Sequence, residues 1–337
     1  MIKAANVTSY GPLTSAELSD MGSINLFIGH NGSGKTFILK ALYSALKTVE
    51  AYRRGKELRS DKEILSDKLY WTFQASTMGE LVNKGGTSLS FSMESDCDET
   101  FSYSFGSSTT KNITTVANSF HPRKENTIFI PAKEILSLRE IILEARENFT
   151  AFGFDDAYYD LAKALRPTTK GRVAKSISDA RKNLATAIGG RIGYDEKQKA
   201  WFFYGENKRK FDLSITSEGI KKISILDALL GNHYLSKGSV VLIDEVEANL
   251  HPEMISSFLD IVYLLAKGGI QLFISSHSYF VIKKLYLLAQ QHQTSIPTWS
   301  FEHGTATRYN LKEEMPENAI INESIRLYKE EVSIALL

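Results

Sequence analysis

Apolar and polar positions follow two different periods along this chain, and the changes of period divide it into elements. Residues 2–7 read as a first strand that turns at Gly11-Pro12. Residues 24–28 are a short, mostly apolar run, which suits a strand buried on both faces. Residues 37–46 carry apolar side chains at helical spacing instead. The charged stretch from Arg53 to Lys68 predicts a solvated helix end and loop. Residues 89–94 and 100–105 alternate as half-buried antiparallel strands do, and the polar segment 95–99 predicts the turn between them. Residues 127–131 form another apolar strand. From Ile135 through Ala187 the period becomes helical, with a break at Arg166-Pro167-Thr168 and a stop at Gly189-Gly190. Residues 191–194 and 199–204 predict a strand pair. Two buried strands follow, 240–243 running into Asp244-Glu245 and 270–276 running into His277.

The link between the strand at 24–28 and its helix is Gly29-His30-Asn31-Gly32-Ser33-Gly34-Lys35-Thr36, which reads G-x-x-x-x-G-K-T. Strand, glycine-rich loop and helix are the context in which this spacing binds phosphate. The glycines let successive backbone N–H groups face phosphate oxygens, and the helix start adds a partial positive charge there. Gly29, Asn31, Gly32, Ser33 and Gly34 are therefore the candidate cradle. Lys35 can reach β- and γ-phosphates, and the Thr36 hydroxyl is a candidate magnesium ligand. A buried strand ending in two acids is a weak signal alone, but behind a P-loop it completes a site. Asp244 becomes the second candidate magnesium ligand, and Glu245 stands where a general base polarises the attacking water. His277, closing the next strand, reads as a γ-phosphate sensor.

Other features have a functional and a plain reading, and the plain one is expected in each case. Tyr10 can stack on adenine or fill the core. The acids among residues 95–99 can hold a metal or form a polar turn. Lys208, Arg209 and Lys210 beside Trp201 and Phe203 can touch a nucleic acid or cover a two-faced sheet.

With 337 residues the chain is long for one small core and short for three domains, so two lobes are expected. Its 43% hydrophobic and 23% charged residues are an ordinary soluble balance. The formal net charge of +1 shows no broad basic excess. The single cysteine, Cys97, excludes a disulfide within the chain and fits a reducing, cytoplasmic location. No apolar run approaches the roughly 20 residues of a membrane helix, and no membrane partner is expected.

The ordered motifs resemble those of ABC-type ATPases of the SMC, RecF and OLD group. Thr216-Ser217-Glu218-Gly219-Ile220-Lys221-Lys222 resembles the ABC signature, residues 247–252 the D-loop, and Ser276-His277-Ser278 the H-loop. Pro131-Ala132-Lys133-Glu134 stands at the Q-loop position without its glutamine. Ile220 replaces a usual glutamine and His251 a usual aspartate. The resemblance implies an α/β, ABC-type P-loop NTPase fold with a mainly parallel sheet, an antiparallel β side and an inserted, mainly helical lobe. Residues 1–133 and 214–337 are expected to form the nucleotide-binding lobe, and 134–213 the inserted lobe with its strand pair. The resemblance also implies ATP and Mg2+ as cofactors and a head-to-tail homodimer. In that pair Ser217 and Gly219 of one subunit cover the γ-phosphate held by Lys35 of the other. The function implied is an ATP-hydrolysing switch that controls a separately encoded effector, a nuclease or toxin, in phage defence. A RecF-like repair ATPase is the alternative, and a transporter subunit a more distant one. No aspartate follows Asp260, so the D-x-D metal pair of a Toprim nuclease is missing there, and no nuclease activity of this chain is expected.

Overall fold

The computed structural model describes residues 1–149, 152–167, 174–195, 197–198, 200–205, 207 and 209–336. The amino-terminal part runs β1 (Ile2–Tyr10), β2 (Leu13–Leu18), β3 (Ile24–Ile28), α1 (Lys35–Ala51), α2 (Asp61–Phe73), β4 (Ser88–Ser95), β5 (Thr100–Gly106), β6 (Thr115–Asn118) and β7 (Thr127–Ile130). The middle runs α3 (Arg139–Glu147), α4 (Asp156–Ala164), α5 (Lys175–Ile188), β8 (Gly190–Asp195), β9 (Ala200–Gly205) and β10 (Lys210–Asp212). The rest is α6 (Glu218–Gly231), β11 (Val240–Ile243), α7 (Pro252–Lys267), β12 (Gln271–Ser276), α8 (Tyr279–His292), β13 (Pro297–Glu302), β14 (Thr305–Asn310) and α9 (Ala319–Ala335).

Among the described residues the strands form three sheets. The central one has the order β14-β13-β3-β12-β11-β7, and all its neighbours pair in parallel except β13 with β14. Its strands other than the edge strand β14 are buried on both faces, so successive side chains fall into two different cores. Leu26, Ile128, Val241, Ile243, Leu272 and Ile274 join the core shared with α5, α6, α7 and α8. Phe27, Phe129, Leu242, Phe273, Trp299 and Phe301 join the opposite core. That second core holds α1 and the inner face of an antiparallel sheet, β2-β1-β4-β5-β6. Helix α1 therefore lies between two sheets, which is why even Ser44, Lys47, Thr48 and Glu50 are buried along it.

The third sheet, β10-β9-β8, is antiparallel and follows α3, α4 and α5 in the chain. Trp201 and Phe203 of β9 pack into the core of α5, α6 and α7. Lys210 Nζ is tied to Asp195 Oδ2 at 2.6 Å and lies over the Phe202 ring. The aromatic residues thus face inward and Lys210 has an acidic partner, as a covered two-faced sheet requires; Lys208 lies outside the described residues.

The stretch 53–68, expected to be a solvated helix end and loop, is irregular only as far as Ser60, and residues 61–68 are the first part of α2. Ser60 and Glu63 form a reciprocal capping box that starts α2. Lys68, read as part of a solvated run, points inward and bridges Asp156 and Asp160 of α4 at 2.7 Å each. The hairpin of β13 and β14 was not among the expected elements, although Thr298, Trp299, Ser300 and Phe301 alternate polar and apolar; all four are buried. Among the described residues no helix is long and apolar enough to cross a membrane.

Candidate functional site

Parallel register brings the site together. Ile28 pairs with Ser276, and Ile243 pairs with both Ile274 and Ile130. The carboxyl ends of β3, β12, β11 and β7 consequently lie side by side, the position at which open α/β sheets bind ligands. Gly29, His277, Asp244 and Pro131 each follow directly from one of these ends.

At the first end the chain must turn back within van der Waals reach of its neighbours. Gly29 has φ 148, and a Cβ there would stand 2.5 Å from the Phe301 carbonyl oxygen. Gly34 has φ 106, and a Cβ would stand 2.6 Å from Leu13. Only glycine meets both demands. Gly34 is also the N-cap of α1 and offers no side-chain cap, which leaves the helix start as an anion-binding end. Asn31, Gly32, Gly34, Lys35, Thr36, Pro12, Phe37 and Glu245 line a cavity of about 240 Å³. Lys35 is only 6% exposed. Its Nζ donates to the carbonyls of Gly29 at 2.7 Å and His30 at 2.8 Å. Burial lowers its pKa, while Asp244, Glu245 and Glu247 oppose that shift. Ser33 Oγ is buried with no hydrogen-bond partner among the described residues.

At the second end, Thr36 Oγ1 donates to both Asp244 oxygens, at 3.0 and 2.9 Å. Ser275 Oγ donates to Asp244 Oδ1 at 2.5 Å and accepts from the Glu245 N–H at 2.8 Å. Ligands of an octahedral magnesium at about 2.1 Å, set at right angles, stand about 3 Å apart. The Thr36–Asp244 spacing and its all-oxygen donors fit that ion. The glycine cradle and the buried lysine fit a polyphosphate. Glu245 holds a left-handed backbone, φ 44, and lines the same cavity. Its carbonyl accepts from Lys222 Nζ at 2.6 Å and from the Ala248 N–H at 2.8 Å.

His277 stands at the edge of this cluster, its Nδ1 3.9 Å from Glu245 Oε1 and 3.4 Å from Glu247 Oε1. Ser217 and Gly219 are not among the residues lining the P-loop cavity. They start α6, where Ser217 is the exposed N-cap residue and Gly219 packs on the turn at Asn249 and Leu250. At the Q-loop position Glu134 is buried and pairs with Lys221 of α6 at 3.5 Å. Tyr10 is fully buried, bonded to the Tyr103 hydroxyl at 2.8 Å, and fills the core. Ser275 and Lys222 carry no role in the sequence reading. A serine inside an apolar strand and a lysine pair in a mostly apolar helix were the available signals.

No curated protein gives a significant match. Among solved structures, an SMC head bound to the C-winged helix domain of ScpA is 12% identical with a TM-score of 0.53, covering 92% of this chain and 97% of that chain. An Smc head domain with an extended coiled coil, bound to the C-terminal domain of ScpA derived from Pyrococcus furiosus, is 13% identical with a TM-score of 0.51, covering 96% and 99%. At these identities the likeness is one of fold, that of a P-loop ATPase head of ABC type. The family profile described as "AAA domain, putative AbiEii toxin, Type IV TA system" matches residues 24–283, and the chain belongs to that family.

Proposed function

We propose that this chain binds and hydrolyses ATP with magnesium, and works as a dimerising switch on a separately encoded effector. The observation that carries the reading is the meeting of Thr36, Asp244 and Glu245 at the mouth of the glycine cradle. Gly29 to Gly34 would hold the phosphates by backbone N–H groups, with Lys35 released from the carbonyls of Gly29 and His30 to pair with them. Thr36 and Asp244 would hold magnesium, which supplies neutralising charge on the phosphate oxygens. Glu245 would take the proton of the attacking water, and its exposure into the cavity leaves room for that water. Ser217 and Gly219 would act on a second copy's nucleotide, because α6 presents them away from their own P-loop cavity.

Residues 134–213 are assigned as the inserted lobe. The family's printed description names a toxin and a toxin–antitoxin system; the effector partner, the defence setting and a cytoplasmic location belong to the proposal. The chain itself is proposed to cut no nucleic acid. The test is steady-state ATP turnover and calorimetry of the purified protein. Wild type should release phosphate, and Lys35→Ala should lose ATP binding by about a hundredfold, as expected for removal of a buried charge-assisted contact. Unchanged affinity in Lys35→Ala would refute the phosphate cradle.

A further inference from the structure

Glu247 is the acid beside the site that the hydrolytic reading leaves without work. It lies two residues beyond Glu245, on the turn from β11 into α7, with its side chain 9% exposed. The turn is tied at both ends, Ala248 N–H donating to the Glu245 carbonyl and Leu250 N–H to the Glu247 carbonyl. The carboxylate is thereby aimed at the end of β12. Its Oε1 accepts from the His277 backbone N–H at 2.8 Å and lies 3.4 Å from the ring Nδ1. Glu245, the candidate base, is farther from that nitrogen at 3.9 Å, and its side chain is 37% exposed. The other oxygen, Glu247 Oε2, is buried with no hydrogen-bond partner among the described residues. A buried carboxylate oxygen without a donor is costly, so this group stands ready to take a second hydrogen bond. The imidazole Nδ1 lies 3.4 Å from Oε1 of the same carboxylate, so a small turn of the group brings one of its two oxygens onto the ring.

We propose that Glu247 is the positioning residue for His277. It fixes the backbone at the end of β12 through one hydrogen bond and the ring through a second, from Nδ1–H to the carboxylate. Nε2 is then the nitrogen left for the nucleotide. A hydrogen bond at one ring nitrogen sets which nitrogen carries the proton, and so decides what the other can do. Glu245 is left to the water, because His277 is held by a different acid. The inference rests on the hydrolytic reading for its consequence, but the contact itself does not depend on turnover.

The experiment compares wild type, Glu247→Ala, Glu247→Gln, His277→Ala and the double variant Glu247→Ala/His277→Ala. Removing a partner that orients a functional histidine costs about tenfold to a hundredfold in activity. Glu247→Ala should therefore lower kcat by that factor while ATP affinity stays within about threefold. In the His277→Ala background the same change should add less than about twofold, because Glu247 acts through the ring. Nitrogen NMR of the labelled imidazoles should show His277 protonated at Nδ1 in wild type and released from that state in Glu247→Ala. Glu247→Gln, which keeps the volume and an acceptor for the backbone N–H, supplies the comparison if the alanine variant does not fold. Wild-type kcat in Glu247→Ala, losses that multiply in the double variant, or an unchanged ring tautomer would each overturn the proposal. If the wild type turns over no ATP at all, the hydrolytic reading falls, and the NMR comparison alone decides whether Glu247 holds the ring.

Discussion

At the scale of single residues, Lys222 shows how a site is held from outside it. It is 2% exposed, and burial lowers its pKa to about 8 against the pull of Glu247, Asp244 and Glu245. Its Nζ donates to the carbonyl of Glu245, a residue whose left-handed backbone costs on the order of 1–3 kcal/mol and persists only where its surroundings fix it. Lys222→Met should leave that carbonyl to Ala248 alone, and kcat should drop by about tenfold with ATP affinity retained. Equal kcat in variant and wild type would separate Lys222 from the Glu245 turn. The same residue sets a pH dependence. In the fold Lys222 loses its proton near pH 8, and in the unfolded chain only near the ordinary lysine value of 10.5. Between these the unfolded state binds more protons, so the Lys222 contribution to stability rises with pH, by at most about 1.4 kcal/mol per unit. Urea unfolding of wild type and Lys222→Met at pH 7.5 and pH 9.5 should show the difference moving in favour of wild type at the higher pH.

At the scale of elements, α4 of the middle segment is fastened to the P-loop helix by charge. Lys40 of α1 pairs with Asp155 at 2.6 Å, and Tyr43 of α1 donates to Asp160 Oδ2 at 2.6 Å. Lys68 of α2 bridges Asp156 and Asp160, and Arg146 of α3 pairs with Asp156 at 2.5 Å. Burial alone would push the Asp160 carboxyl up, but Lys68, Lys47 and Lys163 outweigh it and hold the group ionised. Removing one member of such a buried set strands the others. Asp160→Ala should cost about 3–5 kcal/mol in urea unfolding. Lys163→Ala, at a side chain 45% exposed, should cost less than about 1 kcal/mol. Similar losses for the two would deny the cluster its structural role. This cluster also shows where the sequence stops being legible. The P-loop could be read directly, since backbone geometry restricts Gly29 and Gly34 to one residue type and fixes Lys35 and Thr36 by spacing. Asp244 and Glu245 were legible as acids at the end of an apolar strand. Lys68 was not, because its partners lie 88 and 92 residues further along the chain, and a charge without a local partner reads as solvated. Ser275 and Lys222 were not legible as site residues either. Their contacts depend on the register of β12 against β11 and on where α6 crosses the turn after β11.

At the scale of the whole molecule, two surfaces of one chain do not meet within it, the P-loop cavity and the start of α6. A variant that tests their meeting must leave the subunit intact. Gly219 is unsuitable, because a Cβ there would stand 2.7 Å from the Asn249 carbonyl oxygen of the same chain. Ser217 is exposed and caps α6 by accepting from the Ile220 N–H. Ser217→Asp keeps a capping oxygen and adds a negative charge where a second copy's γ-phosphate would come. Each monomer should still bind ATP with unchanged affinity, while turnover falls by about tenfold or more, the factor expected when like charges meet in a partly buried site. Normal turnover in Ser217→Asp would remove the start of α6 from the site. The most direct test of the shared, ATP-closed site is the mass of Glu245→Gln in solution by light scattering, with magnesium and either ATP or ADP. This variant keeps the shape of the site and loses the base, so ATP should persist in it. The account predicts twice the monomer mass with ATP and the monomer mass with ADP. A single mass in both nucleotides, with ATP shown to be bound, would contradict it.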